Sequence, residues 1–233
     1  MNNLLEIRDI HTHIGQFHIL EGVSLQVPAG TITALLGRNG AGKTTTLTSI
    51  IGLSPPRSGE ILFDGLPLRG MRSFEIANLG IGYVPEHRAI FSALTVEENL
   101  KIAERKRGDL GQRADLIFGL FPDLKRLSGL RGRQLSGGQQ QMLAIARALV
   151  SDNRLLLIDE PSEGLAPVII EQLIEVIRQL AGTTILLVEQ NFLVASELAE
   201  HYVIIEEGQT VKAGRMADLV GDTATIRRYL GAA

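Results

Sequence analysis

The chain has 233 residues, with 23 Lys and Arg against 26 Asp and Glu, and its formal net charge is −3. Hydrophobic residues make up 45% of it, enough for a sizeable core, and the absence of Cys excludes a disulfide framework, a cysteine-ligated metal and a thiol nucleophile. The slightly acidic balance predicts no nucleic-acid partner, because neutralising phosphates requires a surplus of Lys and Arg.

Strand and helix patterns alternate along most of the chain. Two alternating segments, Leu4–Ile10 and Ile19–Val27, predict an antiparallel pair beside a main sheet. Continuous apolar runs predict strands buried on both faces at Thr31–Leu36, Ile81–Val84, Leu155–Ile158 and Thr183–Val188. Helical periodicity predicts helices at Lys43–Ile51, Val96–Arg105, Gly138–Val150, Val168–Leu180 and Phe192–Glu200. This order predicts an α/β fold with a largely parallel sheet.

The middle of the chain departs from this alternation. From Thr95 to about Val150 there are helix signals and no convincing strand. Thr95 and Glu98 have the spacing of a capping box, in which each side chain bonds the backbone amide of the other. We therefore expect a helical insert within the α/β core.

A glycine-rich loop follows the predicted strand Thr31–Leu36 and fits the pattern G-x-x-x-x-G-K-[ST]. Its glycines let backbone amides converge on phosphate oxygens, Lys43 can bridge the β- and γ-phosphates, and the Thr44 hydroxyl can ligate Mg²⁺. The start of the following helix favours an anion there. The predicted nucleotide-binding residues are Gly37, Arg38, Asn39, Gly40, Ala41, Gly42, Lys43, Thr44 and Thr45.

Two carboxylates end the predicted strand Leu155–Ile158. Ligands of open α/β sheets bind at the carboxyl ends of the strands, so Asp159 and Glu160 are expected to face the phosphates. Asp159 is suited to hold Mg²⁺, and Glu160 is placed to orient or deprotonate an attacking water. Without the glycine-rich loop, the same two carboxylates before Pro161 would be interpreted as caps of the next turn.

The segment Leu135–Gln139, of sequence LSGGQ, is a second glycine-based anion site at a helix start. With the glycine-rich loop, it resembles the signature of ATP-binding cassette (ABC) ATPases, and the resemblance covers essentially the whole chain. It implies a P-loop NTPase core, of a mostly parallel sheet with an antiparallel β piece, and an inserted α-helical subdomain. The implied division is a core of residues 1–84 plus 154–233 and a helical signature subdomain of residues 85–153.

The family also implies a head-to-tail dimer. In such a dimer Ser136, Gly137, Gly138 and Gln139 of one subunit cover the ATP held by the P-loop of the other. The partner is implied to be a second copy of the chain or a related ATPase subunit, and ATP and Mg²⁺ are the implied ligands.

Four further motifs are similar to those of the ATP-binding subunits of high-affinity importers for branched-chain amino acids. They are Gly82–Glu86, Leu94–Leu100, Pro161–Pro167 and Val188–Asn191. That resemblance implies two transmembrane permease subunits and, indirectly, a periplasmic binding protein. No apolar run approaches the ~18 residues of a membrane span, and the opening residues lack a signal-peptide pattern. We therefore expect a peripheral subunit at the cytoplasmic face of the inner membrane.

Several positions depart from the general cassette pattern, including Ala166, which replaces an Asp at the dimer contact. Glu86 replaces the usual Gln, and a carboxylate there can still ligate Mg²⁺. Gln190 replaces the switch His, so its expected catalytic role is sensing and positioning the γ-phosphate rather than taking up a proton. Ile14 replaces the aromatic residue that stacks on adenine, which removes the stacking energy, and Phe17 is a weaker candidate for that contact.

Other interpretations of the sequence stay open. A soluble ABC-type ATPase of DNA repair or translation usually carries a second cassette, a coiled-coil insert or a zinc module, and an importer of urea or amides would use the same motifs. A P-loop kinase leaves the LSGGQ segment without a role. His11, His13 and His18 are interpreted as surface histidines on an edge strand rather than as a metal site.

Overall fold

The computed structural model describes residues 2–180 and 182–231. Its first sheet follows from the alternating pattern at the start of the chain. Strands β1 (Asn3–Ile14) and β2 (Phe17–Pro28) pair antiparallel and turn at Gly15. Strands β4 (Ser58–Phe63) and β5 (Leu66–Pro67) complete a four-stranded sheet in the order β2-β1-β4-β5.

The second sheet contains the continuous apolar runs. Its order is β10-β9-β3-β8-β7-β6, and every neighbouring pair is parallel except β9 with β10. Its strands are β3 (Ile32–Leu36), β6 (Ile81–Val84), β7 (Leu155–Asp159), β8 (Thr184–Glu189), β9 (His201–Glu206) and β10 (Gln209–Arg215). All residues of β7 and β8 are buried, as expected for strands covered on both faces.

Ten helices surround the sheets in the described part of the chain. They are α1 (Lys43–Ile50), α2 (Ser73–Asn78), α3 (Val96–Lys101), α4 (Asp109–Leu120), α5 (Pro122–Arg126), α6 (Gly137–Ala148), α7 (Pro167–Gln179), α8 (Phe192–Leu198), α9 (Met216–Val220) and α10 (Thr223–Leu230). None of the described helices is long and apolar enough to cross a bilayer.

Three hydrophobic cores hold these layers together. Apolar residues of α1 and α2 pack between the two sheets, and those of α3 to α7 pack on the opposite face of the six-stranded sheet. A third core joins α8, α9 and α10 to β3 and β9. The six-stranded sheet is therefore covered on both faces, and only the ends of its strands are left accessible to a ligand.

The predicted fold class is confirmed, and several details differ. Helix α3 ends at Lys101, four residues before the predicted end. Ile102 is its C-terminal cap, and the chain continues from Ala103 as a turn. The expectation that His11 and His13 lie on an edge strand is wrong, since β1 lies between β2 and β4. The sequence interpretation missed β4, β5, α2, α4, α5 and the elements after residue 200.

The parallel register places the functional segments at one edge. Leu36 pairs with Glu189, and Asp159 pairs with Val188, so β3, β7 and β8 end side by side. The glycine-rich loop leaves the end of β3 at this edge. The chain after Asp159 leaves from the neighbouring strand.

Candidate functional site

The backbone of the glycine-rich loop packs so closely against its neighbours that a side chain at some of its glycines would clash with them. A Cβ at Gly37 would overlap the carbonyl oxygen of Ile205, and one at Gly42 would lie 2.6 Å from Cδ2 of Leu20. Gly42 caps α1 in the left-handed conformation, and no side chain in the described part of the chain bonds the free amides of the first helical turn. These amides are therefore available to an anion at the start of α1.

Lys43 lies inside this loop, with a side chain only 4% exposed. Its Nζ donates to the carbonyl oxygens of Gly37 at 2.9 Å and Arg38 at 3.2 Å. The same ammonium lies 2.9 Å from Oε1 of Glu160, whose side chain is 11% exposed. The structure thus joins the lysine of the loop to the carboxylate that follows β7.

Asp159 lies beside the same loop and is fully buried. Its Oδ1 accepts from the Thr44 hydroxyl at 3.3 Å, and its Oδ2 accepts from the Tyr83 hydroxyl at 3.4 Å. Burial, together with the charges of Glu160 and Glu86, raises the pKa of Asp159 to about 6, against the opposing effect of the two hydrogen bonds. Tyr83, an aromatic residue in an otherwise aliphatic strand, was not anticipated from the sequence.

These oxygens form a donor set that suits a divalent cation. The Thr44 hydroxyl and the Asp159 carboxylate are hard ligands of the kind Mg²⁺ prefers, and Glu86 contributes to the negative potential at Asp159. Clustered carboxylates in a buried position repel each other, and a cation between them relieves that cost. The residues present therefore fit Mg²⁺.

Glu160 and the residues after it form the wall of a small cavity. Glu160 adopts φ of 42°, a left-handed conformation that few residues other than glycine adopt. The cavity has a volume of about 280 Å³ and is lined by Glu160, Ser162, Glu163, Glu189, Gln190 and Asn191. Gln190 and Glu160 therefore line the same cavity.

Glu163 adds a further carboxylate to this region. Desolvation, together with the charges of Glu160 and Glu86, raises the pKa of Glu163 above its usual range. His87 is exposed, and its Nδ1 lies 3.8 Å from Oε1 of Glu86. The sequence interpretation did not identify Glu163, although it lies three residues after Glu160.

The LSGGQ segment lies at the start of α6. Ser136 caps the helix, with its Oγ accepting from the Gln139 amide at 3.3 Å, while Gln139 Oε1 accepts from the Ser136 amide at 2.9 Å. A Cβ at Gly138 would lie 3.0 Å from Ile169 of α7, so a larger residue there would require the Ile169 side chain to shift. Among the described residues, no hydrogen bond joins this segment to the glycine-rich loop.

The position expected to face the nucleotide base is open. Ile14 and Phe17 pair with each other at the end of the β1–β2 hairpin, and they are 50% and 65% exposed. Both therefore present apolar surface to solvent.

Comparison with known proteins identifies the family. The profile described as ABC transporter matches residues 20–163. The chain is 42% identical over 232 residues to the high-affinity branched-chain amino acid transport ATP-binding protein BraG of Pseudomonas aeruginosa, covering 98% of this chain and 100% of that protein. It is 36% identical to the probable branched-chain amino acid transport ATP-binding protein LivF of Archaeoglobus fulgidus, over 88% of this chain and 89% of that protein.

One solved structure has the same fold and contains a bound nucleotide. A dimeric ATP-binding cassette in a post-hydrolysis state, bound to ADP and Pi, superposes with a TM-score of 0.80 and 25% identity. The match covers 91% of this chain and 98% of that one. With a glycine-rich loop, a buried Asp159 and an LSGGQ helix start in one fold, the chain belongs to the ABC transporter family of nucleotide-binding ATPases.

Proposed function

We propose that the chain is the ATP-binding and hydrolysing subunit of an importer for branched-chain or similar amino acids. The observation that carries the substrate class is the 42% identity to BraG over nearly the whole of both chains. The observation that supports the chemistry is the convergence of Lys43, Thr44, Asp159 and Glu160 at one sheet edge.

In this proposal the residues Gly37, Arg38, Asn39, Gly40, Ala41, Gly42, Lys43, Thr44 and Thr45 hold the phosphates of ATP. The free amides at the start of α1 accept the anion, and Lys43 exchanges its contact with Glu160 for phosphate oxygens. This exchange releases the Glu160 carboxylate at the moment the substrate is bound. Substrate binding and activation of the base are thereby coupled through one ammonium group.

Thr44, Asp159 and Glu86 are the proposed residues for Mg²⁺. When bound, the ion neutralises charge on the β- and γ-phosphate oxygens. Tyr83 holds the second oxygen of Asp159, which orients the carboxylate towards Thr44. The role of these side chains is to position charge before the reaction begins.

Hydrolysis is assigned to Glu160 and Gln190. Glu160 accepts a proton from the attacking water, and Gln190 orients the γ-phosphate or that water through its amide. Their place on the same cavity wall supports this assignment. An amide does not titrate at neutral pH, so the proton has to pass to the carboxylate.

The site is completed by a second subunit in this proposal. Ser136, Gly137, Gly138 and Gln139 present amides and a hydroxyl at the start of α6, on a helical region of residues 85–153 distinct from the nucleotide-binding core of residues 1–84 and 154–233. These groups would contact ATP bound to the partner, either a second copy or a related ATPase. A dimeric relative bound to ADP and Pi supports this arrangement.

Two permeases and a periplasmic binding protein complete the proposed transporter, with the chain peripheral to the cytoplasmic face of the inner membrane. The direct test is uptake of labelled leucine by cells that lack the chain's gene and carry it on a plasmid. We expect the wild-type chain to restore uptake and Glu160→Gln to fail at equal expression. Restoration of urea or amide uptake alone, or co-purification with ribosomes or DNA and not with membranes, would contradict the proposed substrate class or the proposed transport role.

A further inference from the structure

A second buried carboxylate lies beside the site and is not used by the proposed reaction. Glu189, the last residue of β8, is 1% exposed, and Ser162, in the loop after Glu160, is 8% exposed. The Ser162 hydroxyl donates to Oε2 of Glu189 at 2.9 Å, and the Ser162 amide donates to Oε1 at 3.2 Å. The Asn191 amide donates to Oε2 at 3.3 Å.

This arrangement joins two segments that are far apart in the sequence. Ser162 is two residues after Glu160, and Glu189 directly precedes Gln190. Asn191 in turn caps α8, accepting from the Leu193 amide at 3.1 Å. One carboxylate therefore ties together the loop that carries the base, the segment that carries Gln190 and the start of the next helix.

Burying a carboxylate is costly, and this one has no cation beside it in the described structure. Its three donors are neutral, and burial raises its pKa to about 7, with the charge of Glu160 acting in the same direction. An apolar residue would fill the end of β8 without that cost. The hydrogen bonds to two separate loops are what an apolar residue would not supply.

We infer that Glu189 is a positioning residue for ATP hydrolysis, which fixes Glu160 and Gln190 relative to each other by holding the Ser162 loop against the segment 189–191. This inference rests on the proposed function. In this inference Glu189 acts without touching the nucleotide or the attacking water. Its effect is transmitted through Ser162 on one side and through the backbone of Gln190 and Asn191 on the other.

The test measures kcat and ATP affinity separately in the purified full-length chain. Glu189→Leu removes every acceptor at similar volume, Glu189→Gln keeps one acceptor oxygen, and Ser162→Ala removes the hydroxyl donor alone. We expect kcat to fall about tenfold to a hundredfold in Glu189→Leu and less in the other two, since small misplacements of reacting groups have effects of this size. ATP affinity, measured with Mg²⁺ withheld, is expected to stay within about twofold, because the phosphate loop is untouched.

Thr184→Val is the matched control. Thr184 is 3% exposed at the other end of β8, and its Oγ1 accepts from the Gly30 amide at 2.9 Å. This variant should lower the melting temperature without changing kcat. Adding Ser162→Ala to Glu189→Leu should cause no further loss, because the two side chains act as one contact.

The inference is overturned if kcat stays within about twofold of wild type in both Glu189→Gln and Ser162→Ala, or if kcat falls only in step with ATP affinity and melting temperature. These two conservative variants keep the test decisive even where Glu189→Leu does not fold. A wild-type chain that hydrolyses no ATP would instead contradict the proposed function, so the two failures are distinguishable.

Discussion

Lys43 and Glu160 form an ion pair of 2.9 Å, with side chains only 4% and 11% exposed. The ammonium that is expected to bind phosphate is therefore held by the carboxylate that is expected to activate water. A phosphate oxygen and the Glu160 carboxylate compete for the same cation. The ion pair thus occupies the proposed base until a phosphate oxygen takes the place of the carboxylate.

Glu160→Gln tests this competition. Removing the negative charge frees Lys43, so we expect the chain to bind ATP at least as tightly as wild type. Loss of the base is expected to lower the turnover number by about 100-fold or more. Nucleotide titration and phosphate release measure the two effects separately. Normal turnover in the variant would remove Glu160 from its proposed role.

Tyr83→Phe tests whether the phenol positions Asp159. The variant keeps the ring and removes only the donor 3.4 Å from Oδ2. We expect the Mg²⁺ concentration for half-maximal hydrolysis to rise about threefold to tenfold, because partners of metal ligands tune metal affinity and this hydrogen bond is long. Tyr202→Phe, a change to a buried tyrosine of β9, is the control. An unchanged Mg²⁺ dependence in Tyr83→Phe would show that Asp159 is oriented without it.

Ile14→Tyr tests the contact with the base. If Ile14 faces adenine, the added aromatic ring should tighten ATP binding by about 2- to 12-fold, the equivalent of about 0.5–1.5 kcal/mol of stacking. Phe17→Leu is the companion variant, since Phe17 is the alternative at the end of the same hairpin. A large loss of ATP affinity in Phe17→Leu, with no gain in Ile14→Tyr, would assign the base contact to Phe17.

The pKa of Glu189 predicts how stability depends on pH. Its pKa of about 7 in the folded chain exceeds the usual 4.5. Between pH 4.5 and 7 the folded state therefore binds more protons than the unfolded state. The contribution of Glu189 to the free energy of unfolding therefore falls as pH rises from 5 to 8. Comparing melting temperatures of wild type and Glu189→Gln across this range isolates that contribution. A difference between the two that does not change with pH would contradict the assignment.

Much of this site follows from the sequence because parallel strands end at a common edge. The position of Lys43 after one apolar run and of Asp159 at the end of another is enough to bring the two loops together. The roles of these residues stay predictions. The contacts of Glu189 and Tyr83 were not foreseeable, since their partners, Ser162 and Asp159, are 27 and 76 residues away in the sequence and only the tertiary packing joins them.

The same distinction applies to the fold. Strands β7 and β8 were identifiable because burial on both faces gives each of them a continuous apolar run. Strand β10 lies at the edge of its sheet, and its mixed burial leaves no continuous apolar run. The run Tyr202–Ile205 of β9 is as continuous and as buried as that of β7, so its pattern also indicates a buried strand.

In the proposed dimer, the LSGGQ segment of one subunit completes the ATP-binding site of the other. The most direct measurement is the molar mass of Glu160→Gln in solution with Mg²⁺ and ATP, compared with Mg²⁺ and ADP. Lys43→Ala combined with Glu160→Gln serves as the control that cannot hold the phosphates. The account predicts a dimer of Glu160→Gln in ATP only. A chain that binds ATP at saturation and stays monomeric, both alone and when mixed with a related ATPase subunit, would contradict it.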